Sequence, residues 1–263
     1  MPPTRRFAEP YCFAPQGLEQ TFAIDPAKLC GGTGDFAHAL FAPMHYEPGY
    51  AYPLIVWLHG CGGDERQLQQ VMPLVSLRNY LAVAPRGLPL PDAAAAERHC
   101  YGWRQTEDHT QRAQQRVFDC VELVGRQFHV AADRVFLMGT DRGGTMALRI
   151  ALSHPSRFAG VISLCGAFPR GGRPFGNLVA ARRLGVFLAT DRGSRRYPAS
   201  QVCADLRLLH AAGLSVTLRH YPGGRHLIRQ MLADVDRWII DEITASQTPC
   251  VESDAEWSRE AES

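Results

Sequence analysis

Lysine is all but missing from this 263-residue chain: Lys28 is the only one, and 28 basic against 26 acidic residues leave a formal charge of +2. The basic residues are scattered and build no cationic face for a phosphate backbone, so no nucleic acid is expected as a partner. Long hydrophobic runs are lacking too. Pro53–Leu58 and Val135–Met138 are among the longest, far short of the roughly 20 residues that span a bilayer, so membrane insertion is not expected. The N-terminus has no apolar stretch after Arg6, only Phe7, Ala8 and then Glu9-Pro10, and does not read as an export signal. None of the eight cysteines forms a CxxC pair, and a chain of this length needs no disulfide staples. A cytoplasmic protein with reduced thiols is the expectation.

What is present is a core. With 46% hydrophobic and 21% charged residues, the chain is long enough for one substantial folded unit. From Arg134 onward, short aliphatic runs alternate with amphipathic stretches, the pattern of an α/β domain with a mainly parallel sheet. The pattern predicts strands near Ala39–His45, Leu54–Leu58, Leu81–Ala84, Val135–Met138, Gly160–Leu164, Val186–Ala189 and Ser215–Tyr221. Helices fit near Glu65–Leu77, Gln111–Phe128, Gly143–Leu152, Ala199–Ala212 and Leu227–Ile243. In the last of these, Leu227, Met231, Val235, Trp238, Ile239 and Ile243 make one apolar stripe. Residues 20–244 are expected to form the domain, after an extended arm at 1–19 and before an acidic, disordered tail at 245–263. Gly87–Cys100 reads as a long surface loop.

Two glycine-rich turns follow strands: Trp57-Leu-His59-Gly60-Cys61-Gly62-Gly63, and Gly139-Thr140-Asp141-Arg142-Gly143-Gly144. Together with His226 in Tyr-Pro-Gly-Gly-Arg-His, they give the chain from Pro53 to Ile243 a resemblance to the small α/β-hydrolases of the carboxylesterase, phospholipase and thioesterase type. That resemblance implies an α/β-hydrolase fold with helices flanking the sheet and no cap domain. It also implies a nucleophile at the centre of G-x-S-x-G, an acid after a late strand and a histidine before the last helix. The elbow centre here is Asp141 in place of serine. Counting back four residues from Pro198 lands on Ser194, with Asp191 three residues earlier, and His226 holds the histidine position. The expected site is therefore Asp141, His226 and either Asp191 or Ser194, with an oxyanion hole from the backbone N–H groups of Cys61 and Arg142. His59, Tyr101 and Trp103 are expected around the substrate, Arg104 beside them.

The exchange of serine for aspartate changes the chemistry. A carboxylate attacking an ester carbonyl would have to expel a far more basic alkoxide and form a mixed anhydride; with an aspartate pKa of about 3.9 the attacker is the better leaving group. Asp141 can instead orient water, or attack a saturated carbon as in the G-x-D-x-G-G elbows of epoxide hydrolases and haloalkane dehalogenases, which this turn also resembles. A structural alternative is that Asp141 caps the helix beginning at Arg142. A thiol nucleophile, Cys61 or Cys165, is a further option. Two displaced triad positions also fit a scaffold that binds a small molecule without catalysis. No cofactor is expected, and His38, His45, His99, His109, His129, His210 and His220 show no metal-ligand spacing.

Overall fold

The computed structural model describes residues 30–31, 37–90, 100–172, 175–194, 197–222 and 227–247. Its centre is an eight-stranded sheet in the order β1-β2-β4-β3-β7-β8-β9-β10. The strands are β1 (Cys30–Gly31), β2 (His38–Phe41), β3 (Tyr52–Leu58), β4 (Leu81–Pro85), β7 (Val130–Thr140), β8 (Gly160–Leu164), β9 (Gly185–Asp191) and β10 (Val216–Tyr221). β1 and β2 run antiparallel; β4, β3 and β7 to β10 are parallel. β5 (Leu88–Pro89) and β6 (Tyr101–Gly102) form a separate antiparallel pair. Among the described residues six α-helices complete the fold: α1 (Gln67–Val75), α2 (Glu107–Gln127), α3 (Arg142–Ser153), α4 (Leu178–Ala181), α5 (Ala199–Ala211) and α6 (Arg229–Gln247).

The sheet is covered on both faces, which is why β3 is an unbroken apolar run instead of an alternating one. Leu54, Val56 and Leu58 point into a core shared with α2 and α3. Ile55 and Trp57 point into the opposite core, closed by α1 and α6. The apolar stripe of α6 lies as its spacing predicts: Met231, Val235 and Ile239 are buried, and Trp238 packs against Phe136 and Phe187. Two tyrosines at strand ends fasten this helix. The Tyr80 hydroxyl donates to Asp236 Oδ1 at 2.7 Å and the Tyr221 hydroxyl to Asp234 Oδ2 at 2.7 Å.

Several boundaries differ from the periodicity. α2 starts at Glu107, ahead of its apolar stripe, because Glu107 and Asp108 suit the positive end of a helix. The Gly87–Cys100 stretch opens with a strand, β5 folding back on β6, while 91–99 lie outside the described residues. α6 carries 245–247 into the helix. The rest of the expected tail and all of the arm at 1–19 lie outside the described residues. Among those described, no helix is long and apolar enough to cross a membrane.

Tyr80 is almost fully buried, and burial followed by Asp236 raises its hydroxyl pKa, so it remains a donor. Tyr80→Phe is expected to lower unfolding free energy by about 1.5–3 kcal/mol, the range for a bond to a charged acceptor. The urea midpoint should fall with its slope unchanged.

Candidate active site

The parallel strands deliver their chemistry to one edge. Asp141 follows β7, Cys165 follows β8, Asp191 is the last residue of β9, and His220 and Tyr221 end β10, so adjacent strands set these side chains in a row. Asp141 has φ 49° and ψ −120°, a conformation that branched or charged residues adopt only when the surroundings impose it. Its N–H donates to Leu164 O at 2.9 Å, and its own carbonyl accepts from Thr145 N–H at 3.1 Å. Two glycines permit so tight a turn. A Cβ on Gly139 would stand 2.5 Å from Gly143 C, and one on Gly143 would stand 2.2 Å from Leu58 O.

The Asp141 side chain makes no capping hydrogen bond to α3, which removes the structural role expected for it as a cap. Its charge falls instead on Cys165, together with that of Asp191. Burial, then Asp191 and then Asp141, push the Cys165 thiol up to about 11. A thiol so protonated at neutral pH is a poor nucleophile, so the expectation of cysteine chemistry finds no support at Cys165.

Asp191 is 8% exposed and shapes its own turn: Oδ1 accepts from Gly193 N–H at 2.9 Å, and its carbonyl from Ser194 N–H at 3.2 Å. Ser194 Oγ accepts from Tyr197 N–H at 3.1 Å, which places that hydroxyl within the turn. His226 lies outside the described residues.

The first glycine turn packs directly on the elbow. Leu58 O and His59 O crowd the Cα of Gly143, bringing the loop that carries Cys61 against the first turn of α3. Arg142 opens that helix, where a backbone N–H has no intrahelical partner. Small residues there let a ligand approach the backbone, as an oxyanion site requires.

His59 is completely buried, so it shapes this loop from behind. Nδ1–H donates to Gly60 O at 2.8 Å and Nε2 accepts from Gly87 N–H at 2.9 Å, an assignment that fixes a neutral tautomer. Trp103 is buried against it, its Nε1–H donating to His59 O at 2.9 Å. Both side chains, expected around the substrate, are buried as anchors of this loop. Tyr101 stays partly exposed, with the Arg86 guanidinium 4.9 Å from its ring centroid.

Residues that sequence reasoning did not single out hold this arrangement. Arg86 forms a two-pronged ion pair with Glu65, Nε to Oε2 at 2.7 Å and Nη2 to Oε1 at 2.5 Å. Arg116 donates to Arg86 O at 2.6 Å and to Gly87 O at 3.0 Å. Glu65 is 2% exposed; burial pushes its carboxyl up, but the bonds to Arg86, a backbone bond and the charges of Arg86 and Arg66 together hold it below the usual carboxylate range. Glu65 opens a predicted helix and Arg86 follows a strand, but nothing in either segment signals their pairing. Among the described residues, no cluster of three or more His, Cys, Asp or Glu is placed to hold a metal ion.

Comparison with known proteins gives a consistent picture. The family described as "Putative esterase" matches residues 33–222. The curated protein "Putative esterase NocK" of Nocardia uniformis subsp. tsuyamanensis is 32% identical over 132 residues, 48% of this chain. The match takes in only 38% of that relative's length. Among solved structures, a carboxylesterase from Mesorhizobium loti superposes with a TM-score of 0.64 at 17% identity, over 81% of this chain and 99% of that one. The Bacillus cereus carboxylesterase gives 0.62 at 16%, over 79% and 94%. Zea mays acyl-protein thioesterase 2 gives 0.62 at 17%, over 78% and 98%. These structures show the α/β-hydrolase fold.

Burial lowers the pKa of His59 to about 4, more than its bond to Gly60 and the charges of Asp64 and Glu65 raise it. The unfolded chain, with an ordinary histidine at 6.5, therefore binds more protons between pH 6.5 and 4. The neutral ring's contribution is complete above pH 6.5 and is lost as pH falls toward 4, at up to about 1.4 kcal/mol per unit. Unfolding measured across this window should show that slope in the wild type. His59→Gln should flatten it.

Proposed function

The chain belongs to the esterase family, and on that premise we propose that it is a carboxylesterase-like hydrolase of a small organic ester in which water attacks the carbonyl directly. One observation carries the reading: Asp141 occupies a strained elbow conformation, at a cost of order 1–3 kcal/mol, and its carboxylate returns no capping bond to the helix. A charged side chain kept in such a position, two strands from a second carboxylate at Asp191, supports a chemical role for it.

In the proposed step Asp141 accepts a hydrogen bond from the attacking water, and His226 takes that water's proton as general base. Asp191 orients the imidazole and stabilises its charged form. The neutral hydroxyl of Ser194, already bonded to Tyr197, suits that role less. The water oxygen bonds to the carbonyl carbon, and the N–H groups of Cys61 and Arg142 hold the oxyanion. The ester C–O bond then breaks, the leaving alkoxide recovers the proton from His226, and acid and alcohol depart with no covalent link to the protein. Tyr101 and Arg104 at the rim suit an apolar substrate with an anionic group.

Attack by Asp141 on a saturated carbon is the less favoured chemistry. Enzymes that use it polarise the leaving atom from a cap domain, and the only helix described between β8 and β9 is the four-residue α4.

Hydrolysis of p-nitrophenyl esters in ¹⁸O-labelled water should place label in the acid from the first turnover and leave the protein mass unchanged. Label in Asp141 would instead reveal an aspartyl ester. Asp141→Asn, which removes the charge that faces the attacking water, should lower kcat by about 10²–10³, the range for one lost electrostatic group in a site. Wild type should ignore fluorophosphonates, and Asp141→Ser should react with them. Absence of turnover on esters, epoxides and haloalkanes, with tight binding of a small molecule, would establish a non-catalytic binding protein.

A further inference from the structure

The elbow helix carries a buried arginine that the proposed chemistry does not use. Arg149 lies in α3, two turns beyond Arg142, and is 7% exposed. Burying a guanidinium is costly unless its donors are satisfied. Among the described residues the groups that accept its hydrogen bonds are all neutral, and the nearby charge that acts on it is that of Glu107. Nε donates to Gln105 Oε1 at 2.7 Å, Nη1 to Gly171 O at 3.0 Å and Nη2 to Arg170 O at 2.6 Å. Those acceptors come from two segments far apart in sequence: the stretch that follows Tyr101-Gly102-Trp103, and the irregular loop 166–172 that leaves β8.

The second segment is shaped to meet the arginine. Gly171 and Gly172 have φ of 72° and 70°, and a Cβ on Gly172 would stand 2.9 Å from Nη1. The loop continues the connection outward. Arg170 donates to Gln201 Oε1, and Gln201 donates through Nε2 to Asp205 Oδ1 at 2.8 Å, which reaches α5. One planar fork thus joins the elbow helix to the loop that leaves the same sheet edge as Asp141 and to the segment that follows the separate β5-β6 pair, in a way that a lysine point charge with one head cannot reproduce.

Resting on the hydrolase reading for its functional consequence, we propose that Arg149 is a positioning residue that locks segments 101–106 and 166–172 into one substrate-binding rim. It governs substrate capture and leaves the chemical step alone. Neither loop carries the groups assigned to bond making, so their release changes the fit of the substrate without moving Asp141.

Hydrogen exchange of the full chain, read by mass spectrometry, tests the coupling. In Arg149→Met both segments should exchange about tenfold faster or more, with β7 and β9 unchanged. Arg149→Lys should restore no more than one of the two. Gln105→Leu, at an exposed position, guards against a folding failure of the buried variant; it should release 101–106 and also speed 166–172 by about twofold or more. Unchanged exchange in either segment, or faster exchange across the whole sheet, overturns the proposal. On p-nitrophenyl butyrate, Arg149→Met should raise KM about fivefold or more with kcat within about twofold, and a parallel fall in kcat overturns the capture role. If wild type does not hydrolyse that ester, the hydrolase reading and the capture role fall together, and exchange alone decides the coupling.

Discussion

The structure turns on the contact between two backbones: the carbonyls of Leu58 and His59 lie against the Cα of Gly143, where even a methyl group would not fit. That contact sets β3 and its following loop against the start of α3. It forces the chain from β7 into α3 through a left-handed residue, and it brings two stretches of backbone N–H to the edge where Asp141, Cys165 and Asp191 stand in a row. The shape belongs to the backbone: the glycines at 139 and 143 leave room for the turn, and Asp141 is carried at its apex.

Around that contact the protein fixes charge unevenly. His59 is kept neutral by burial and by a bond at each ring nitrogen, so it supports the loop without adding charge to it. Behind it, Glu65 and Arg86 cancel one another through two hydrogen bonds. At the strand ends the balance differs: two carboxylates flank a thiol that they help to keep protonated. An edge so arranged disfavours attack by sulfur.

Much of the fold was legible because burial leaves a mark on composition. A strand covered on both faces must be apolar throughout, as Leu54–Leu58 is, and a helix covered on one face must repeat its apolar residues, as Met231, Val235 and Ile239 do. Elements of two to four residues, such as β5, β6 and α4, leave no such mark. The start of α2 escaped because residues 107–112 are mostly exposed and carry no stripe. Asp141 and the two glycine turns were visible as local motifs. The partners of Glu65 and Arg149 were not, since an acid and a base distant in sequence look like solvated surface until the chain folds. His59 was visible as a residue but not as a buried one, and the capping role weighed for Asp141 rested on its place in the chain, which says nothing of where its oxygens point.

The covering of one sheet face by α6 has a consequence for biosynthesis. Phe136 and Phe187 find Trp238 only in the last described helix, and Tyr80 waits for Asp236 in the same segment. While that stretch is still being translated, the strands can pair and the opposite face can close over α2 and α3, but this face has only α1 to cover it. A nascent chain of this protein therefore presents a greasy, half-finished surface until α6 emerges, the interval in which holding by a chaperone has most to protect.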